Sequence, residues 1–488
     1  MRRSVTIDHV YLAAALLLVA LRPLLTAIPP NDFWWHLAMG REILATGAVP
    51  LVDSFSYTQT GQPFYNQAWL AQLLMVALYR LGGVPLLLVV QSAVIALAYG
   101  LLLRLCLLRS ERLRLSVVLL LLVALPLSFD NWTIRPQSYV FPIFALYVTI
   151  LTEYRLGRSN YLWALVPLMA LWVNMHGSFV LGLALIGLTG AGELFKRLRR
   201  GGAFAAAATT HRAPLLPLAL WGAACGLTLL LNPRGPAVIG YVRNLLSTSS
   251  VTSLVVEWAP PTIRDINGAI FFLVLIGCIV ALTYARRKPD LTDMLLAGAL
   301  LWLALGAVRN IVWFGFVATP LLAVQLATLL PPPSPKRLAG STPLNLALIG
   351  MLASLLIIAS PWVKPALLPA PNGLLLTEDT PVGATAALEQ LEPRPQRLFH
   401  PMGAGSYLIW QARDIPVFID PRIELYPYAQ WQDYIALSSG QDVPRLLDAY
   451  GFDALLLDPE EQKGLLAAVK GSGWRVRYSD ARAVLLTR

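Results

Sequence analysis

Block after block of predominantly apolar residues runs through this chain, and no other feature restricts its fold as tightly. "YLAAALLLVALRPLL", "VPLLLVVQSAVIALAYGLLL" and "LALIGMLASLLIIA" are three of them. As a helix, a run of about 18 or more such residues matches the hydrocarbon thickness of a bilayer. Helix is the form required there, because every backbone N–H and C=O must be paired without water. Composition agrees: 57% of the 488 residues are hydrophobic and 13% charged, where soluble domains carry about 25% charged residues. The sequence predicts an α-helical polytopic membrane protein.

A net charge of +11 would suggest nucleic acid in a soluble chain. Here the basic residues form short clusters between apolar blocks, at 2–3, 109–114, 155–158, 196–200, 286–288 and 336–337. That is the positive-inside pattern rather than a binding stripe, so nucleic acid is not an expected partner and membrane lipids are. With every cluster cytoplasmic, about eleven spans alternate, at 11–28, 84–108, 115–129, 138–154, 161–173, 179–194, 215–231, 269–285, 291–308, 311–330 and 344–362. The N-terminus is then cytoplasmic and the tail extracytoplasmic in a cell (inner) membrane. The first block is too long for a signal h-region and is read as a retained span. Segment 66–83, "NQAWLAQLLMVALYRLGG", is short and punctuated by polar residues; it is expected to lie at the outer interface as an amphipathic helix.

The expected domains are a transmembrane domain at 1–362 with a long first outer loop at 29–83, a Pro-rich linker and start of the outer region at 363–390, and a small outer domain at 391–488. In the last, the short apolar runs "QRLFH", "PVFID", "ALLLD" and "AVLLTR" alternate with helical stretches, which reads as α/β. Residues 201–212 read as a flexible cytoplasmic loop. Cys106, Cys225 and Cys278 all fall in apolar blocks and imply neither disulfides nor a metal cluster.

This topology sends nearly every unusual polar residue near a span end to the outer side. Asp32, Trp35, His36 and Asp53 lie in the first outer loop, Arg135 in "DNWTIRPQ", Asn174 and His176 in "NMHGS". Asn232 and Arg234 follow in "LNPRG", Glu257 and Trp258 in "VVEWAPP", Arg309 and Asn310 in "VRNIVWF". The cytoplasmic turns read as plain basic clusters. Polar groups at membrane depth are costly and default to function, and their one-sidedness suggests a cavity open to the outer leaflet.

Each residue has a bland reading beside a chemical one. Asp32 can cap the helix that follows or take a proton from an acceptor hydroxyl as a general base; the gathering of polar residues on one side favours the base. His36 shares a helix face with Asp32, where a hydrogen bond is expected ahead of a metal, although a divalent metal ion is left open. Trp34 and Trp35 read as a pair of interfacial anchors, with a stacking platform for a sugar ring as the alternative. Asp53 is evenly balanced between a turn residue and a second active-site acid. Arg135, Arg234 and Arg309 break the positive-inside trend and so need an anion. That anion is a lipid phosphate or a carboxylate among Asp32, Asp53, Asp130 and Glu257, with Arg309 the strongest case for phosphate. No phosphate-binding Gly-rich loop, dinucleotide fingerprint or H-E-x-x-H motif occurs, so group-transfer potential must come with the substrate.

The order of these features resembles the GT-C superfamily of membrane glycosyltransferases, especially the protein O-mannosyltransferases and lipid A aminoarabinose transferases. The resemblance rests on the first span, an outer-loop Asp, "GREILATG", and "TGQPFYNQAWLAQLL" before the second span. "WVNMHGSFVLG", "EWAPP", "RNIVWF" and "GSYLIWQ…VFIDPRIELY" extend it to a bacterial GT-C-like group mostly without assigned substrate. The resemblance implies a polyprenyl-phosphate-linked sugar donor, a lipid, glycan or protein acceptor, Asp32 as base and Arg309 at the donor phosphate. Two departures stand out: Phe33 follows the acid where the mannosyltransferases carry a second acid, and "GQPFYNQ" lacks the lysine of the aminoarabinose transferases. The expected function is inverting sugar transfer on the outer face. The alternatives are a flippase for a lipid-linked saccharide and a non-catalytic membrane scaffold with an outer binding domain.

Overall fold

A computed structural model describes residues 4–198, 213–247, 254–331 and 341–488, with the side chains of 245–247 left aside. The basic clusters at 2–3 and 336–337 and the loop at 201–212 lie outside the described residues. The chain forms two compact units. The helical unit comprises Met1–Thr26, Pro85–Val238 and Val256–Leu368, and the second unit Ala27–Val84, Ile239–Val255 and Pro369–Arg488.

Helical segments coincide with all the expected spans of the helical unit. They are Ile7–Leu25, the later part of Trp69–Ser110, Leu113–Leu119, Phe141–Arg155, Leu165–Met175, Phe179–Leu198, Leu215–Leu227, Ile266–Tyr284, Leu291–Gly306, Ile311–Ala327 and Thr342–Ile358. Among the described residues, five helices are by themselves long and apolar enough to cross a membrane. Helix Leu113–Leu119 continues as a π-helical turn, Leu120–Ala124. Ile311–Ala327 is buried along nearly its whole length, whereas Ile266–Tyr284 exposes Leu273, Ile276, Ile279 and Val280. A helix apolar all round with an uncovered face needs lipid against it. The protein is a multi-pass membrane protein. Trp69–Ser110 breaks at Gly82 and Gly83, and Gly83 takes φ 62° and ψ −158°, a region essentially restricted to glycine. The segment before the break belongs to the second unit and the span after it to the helical unit.

The two ends of the helical unit differ chemically. At the end carrying the basic clusters, Arg155 pairs with Glu193 (3.3 Å), Asp290 (2.6 Å) and Asp293 (2.9 Å). Lys196 bridges Glu193 (2.6 Å) and Asp290 (2.7 Å), and Arg109 pairs with Asp293. Asp8 pairs with Arg114 at this end too, and Asn345 Nδ2 donates to the Val5 carbonyl. The expectation of plain basic clusters is corrected here: Arg109, Arg155 and Lys196 meet three acids in a charge-balanced, largely buried network. At the opposite end Lys364, fully buried, donates to the Leu24 carbonyl (2.7 Å) and ties the last span to the first. Burial brings the Lys364 ammonium down to about 8.

The second unit holds a four-stranded sheet of β1 (Leu398–Phe399), β2 (Ala454–Leu457), β3 (Arg475–Ser479) and β4 (Val484–Thr487), in the order β1-β2-β4-β3. β1 and β2 are parallel and the other pairs antiparallel. The fold is therefore an α-helical polytopic membrane protein with a small α/β domain in its C-terminal part. "PVFID" joins no strand of this sheet. Val417 instead bridges to Ser56, with Val417 N donating to Phe55 O (3.0 Å) and Tyr57 N to Val417 O (3.1 Å). The first outer loop is thus part of this unit. Met39 and Phe64 share a core with Phe399, Phe418 and Phe452, and Arg41 donates to the Trp410 carbonyl while lying 4.5 Å over its ring.

Candidate active site

The structure distributes the candidate residues over both units. In the second unit, helix Asn31–Thr46 begins with Pro30 at its N-cap. Pro30 takes the position expected for Asp32, and Asp32 falls in the first turn instead, where the exposed N–H groups still favour an anion. Trp34 is not an interfacial anchor. It is buried among Phe33 (4.7 Å between ring centroids), Tyr407 (5.1 Å) and Trp410 (6.1 Å). Trp35 donates its backbone N–H to Ser406 Oγ (3.0 Å) and stacks on His36 with centroids 3.7 Å apart. His36 is buried, and Gln72 Nε2 lies 3.1 Å from its Nδ1.

Of the two roles open to Asp53, the geometry displays the turn. Its fully buried carboxylate accepts from Phe55 N (3.2 Å), Ser56 N (3.0 Å) and Ser56 Oγ (2.6 Å). Arg422 Nη1 lies 2.6 Å from Asp53 Oδ1, out of line for a hydrogen bond, so that contact is coulombic. Arg422 also binds Asp420 through Nε (2.9 Å) and Nη2 (2.6 Å), and the Tyr426 hydroxyl donates to Asp420. Burial alone would raise the Asp420 carboxyl, but Arg422 and the bonds from Arg422 and Tyr426 outweigh it and hold it below its usual range. Glu424, from the same "IDPRIELY" stretch, is pushed up by burial, and the Tyr241 hydroxyl reaches it at 3.4 Å.

In the helical unit the loops between expected spans 3 and 4, 7 and 8, and 9 and 10 meet. Arg135 Nη1 holds both oxygens of Glu257 (2.8 and 3.0 Å). Arg309 lies 4.6 Å over the Trp258 ring and donates to Gln137 Oε1 (3.2 Å), while Gln137 Nε2 donates to Asn131 (3.2 Å). Val308 N, donating to the Ala259 carbonyl (3.0 Å), fixes the two loops together. Burial disfavours the Glu257 carboxylate, yet Arg135 and then Arg309 outweigh it and bring it below its ordinary range. Arg135 has the carboxylate partner that was its bland reading, and Arg309 lies near enough to the same carboxylate to favour its charged form.

A second group joins the loops between spans 5 and 6 and after span 7. Asn232 Nδ2 donates to Val173 O (3.1 Å) and lies 3.4 Å from Asn174 Oδ1, and Asn174 Nδ2 donates to Ala170 O (2.8 Å). Ser178 N donates to His176 Nδ1 (3.1 Å). Arg234 has an exposed side chain and a backbone N–H bonded to Asn232 Oδ1 (3.1 Å), so "NPRG" is a turn. Asn310 Nδ2 donates to the Leu303 carbonyl (3.1 Å) and closes the helix before it. Gln72, Asn66, Gln137 and Asn131 are participants that sequence reasoning passed over. The signal available for Gln72 was a polar residue inside the apolar helix "WLAQLLMVAL". Among the described residues, no three His, Cys, Asp or Glu side chains assemble as a metal-binding group.

No protein-family model and no curated protein sequence matches the chain. Solved structures do match it. The oligosaccharyltransferase of Archaeoglobus fulgidus in its apo form aligns over 98% of this chain and 74% of its own, at 14% identity and TM-score 0.58. The archaeal oligosaccharyltransferase AglB from the same organism, in complex with an inhibitory peptide and a dolichol-phosphate, aligns over the same shares at 13% identity and TM-score 0.54. ArnT from Cupriavidus metallidurans, bound to undecaprenyl phosphate, aligns over 97% of both chains at 13% identity and TM-score 0.52. The chain shares its fold with these structures, as the GT-C resemblance of its sequence implied.

Proposed function

We propose that this protein is a glycosyltransferase that moves a sugar from a polyprenyl-phosphate donor to an acceptor hydroxyl on the outer face of a cell membrane. The observation that carries the reading is the near end-to-end match to ArnT, a structure bound to undecaprenyl phosphate. In the reaction the acceptor oxygen attacks the anomeric carbon, the bond from that carbon to the phosphate oxygen breaks, and configuration inverts. Asp32 takes the acceptor proton, which suits a half-buried carboxylate in the first turn of a helix. Arg309 binds the departing phosphate, whose charge grows in the transition state, and the Trp258 ring beneath it restricts where the guanidinium can point. Arg135 and Glu257 act as a pair that shapes the same loops.

The chemistry of the helical unit favours transfer over flipping. A flippase needs polar residues along a path to both ends, whereas the end with the basic clusters is tied by the buried Arg155–Asp290–Asp293–Glu193 network. The positive-inside pattern supports reading that end as cytoplasmic. The deciding experiment is transfer from a panel of polyprenyl-phosphate sugars by the full chain in liposomes, wild type against Asp32→Asn. Released polyprenyl phosphate in the wild type, reduced about 100-fold or more in the variant, is the expected result for loss of a general base. Turnover that survives Asp32→Asn removes Asp32 from the role. A panel without turnover, in liposomes that scramble labelled lipid-linked sugar, replaces the transferase with the flippase.

A further inference from the structure

In the helical unit, helix Leu113–Leu119 with its π-helical turn and helix Ile266–Tyr284 each pack on Ile311–Ala327. Between them a groove of about 440 Å³ is left open. Exposed Leu122 and Leu273 form its walls, buried Leu322 lies at its floor, and every lining residue is apolar. Gly277 is among them, and a Cβ there would meet nothing within 4 Å. The π turn, in which Leu125 N donates to Leu120 O (3.0 Å), runs along this groove; such turns are frequent at functional positions. An apolar void stays dry, and its lining forfeits dispersion contacts unless hydrocarbon fills it. Leu273 shares its helix with exposed Ile276, Ile279 and Val280, so the groove continues a surface that already faces lipid.

Polar groups close the groove at the end opposite the basic clusters. Asn267 Nδ2 donates to Asp130 and joins the two flanking segments. Asp130 follows the lining residue Pro126 by about one turn, and Asn267 precedes the lining residue Ile270 by about one. Exposed Asp265 caps its helix by accepting from Gly268 N (2.8 Å). Arg264 beside it is exposed and in no ion pair among the described residues, and Arg22 lies 4.2 Å over the Phe129 ring. Burial pushes the Asp130 carboxyl up and Arg22 opposes it, while Glu257 and Asp265 add to the rise. Glu257 has Arg135 as its partner. The mouth is thus set by two carboxylates, Asp130 and Asp265, and two guanidinium groups, Arg22 and Arg264.

We propose that this groove and its mouth bind an amine-bearing, zwitterionic phospholipid from the leaflet at that end. One acyl chain fills the groove, the ammonium meets Asp130 and Asp265, and the phosphate meets Arg264. A mouth with both signs of charge suits a headgroup with both signs. A prenyl phosphate brings only negative charge, which the two carboxylates repel. The site is therefore separate from the one that would hold a sugar donor, and the inference does not rest on the transferase reading. Its consequence is structural: a bound lipid packs the gap that the three helices leave and so stabilises the folded chain by mass action.

The test is native mass spectrometry of the full chain released from detergent, with phosphatidylethanolamine, phosphatidylglycerol or undecaprenyl phosphate added. Phosphatidylethanolamine should bind about fivefold or more tightly than phosphatidylglycerol, which has no amine; that is the upper range for one exposed ion pair. Gly277→Phe puts a ring into the groove from a position with open space around it, and should lose the lipid. Gly350→Phe, at an equally open position on Thr342–Ile358, should keep it. Asp130→Asn with Asp265→Asn retains an acceptor for Asn267 and a helix cap, and should bring the two phospholipids to equal affinity. Equal binding of both by the wild type, or unchanged binding by Gly277→Phe, overturns the inference. Displacement of phosphatidylethanolamine by undecaprenyl phosphate gives the groove to the donor instead, and a dimer lost in Gly277→Phe gives it to a second copy; either result also overturns it. Because binding is read without turnover, the inference stands or fails separately from the transferase reading.

Discussion

Removing Arg422 should destabilise the second unit in a way that depends on pH and can be reversed. Arg422→Met takes away the cation between Asp53 and Asp420, whose side chains are both fully inaccessible to solvent. Breaking a buried ion pair by removing one partner costs about 3–5 kcal/mol, because the charge left behind has neither water nor a counterion. In domains of about 150–250 residues, 1 kcal/mol shifts the melting temperature by about 2–4 °C, so a fall of roughly 6–20 °C is expected. The sign with pH follows from linkage. In the wild type Asp420 is lowered, so its contribution is present above the unfolded value of about 3.9 and is lost as pH falls through the folded one. In the variant the Asp420 carboxyl, left to burial alone, is raised instead. Its penalty is then largest at neutral and alkaline pH and shrinks as it takes up a proton at acid pH. Thermal melts of the full chain in detergent at pH 8 and pH 4.5 should show the larger deficit at pH 8. Hydrogen exchange should quicken locally in peptides 51–64 and 417–426. A triple variant, Asp53→Asn with Asp420→Asn and Arg422→Met, should recover much of the loss, since an uncharged set carries no unpaired ion. A deficit below about 1 kcal/mol, or one equal at both pH values, would refute the assignment of this network as the tie between first loop and tail.

Two further perturbations probe the same unit. Buried His400 accepts from Phe418 N (3.0 Å) and is brought by burial from 6.5 down to about 4. Its stabilising share is complete above pH 6.5 and should drain by about 3 kcal/mol as pH falls to 4; His400→Gln should flatten that stretch of the melting-temperature profile. Gly40→Ala places a methyl 2.3 Å from the Gln72 carbonyl oxygen. It should cost about 1–3 kcal/mol of overpacking and quicken exchange in peptides 36–44 and 69–76, with no local change counting against the close approach.

How much of this could be read in the sequence depends on the range of the interaction. The spans were legible because lipid imposes one rule on consecutive residues: a backbone without water must be helical, and the run must be apolar. The break at Gly82–Gly83 was legible as a change of character at the same place, and the GT-C resemblance rested on short motifs in fixed order. "RVRYS" was passed over as β3 because its residues are largely exposed, leaving no apolar run to find. "PVFID" misled for the opposite reason: its apolar pattern is genuine, but its backbone pairs with Phe55–Tyr57 rather than with the sheet.

Charge showed the sharper divide. Basic clusters are visible in sequence, so an expected sidedness follows from counting them. The acids that neutralise Arg109, Arg155 and Lys196 lie up to 184 residues away, and only folded helices bring them within ion-pair range. Asp53 was open between turn and catalysis until Arg422, far along the chain, came to lie against it. Asp32 and His36 could be placed on one helix face from spacing alone. That Gln72 lies against His36 could not be read from spacing, because the two meet only through helix packing. By itself the sequence determined a membrane-spanning helical chain followed by a small α/β part. Tertiary structure decided which residues pair with one another, since pairing buried groups requires contact in space.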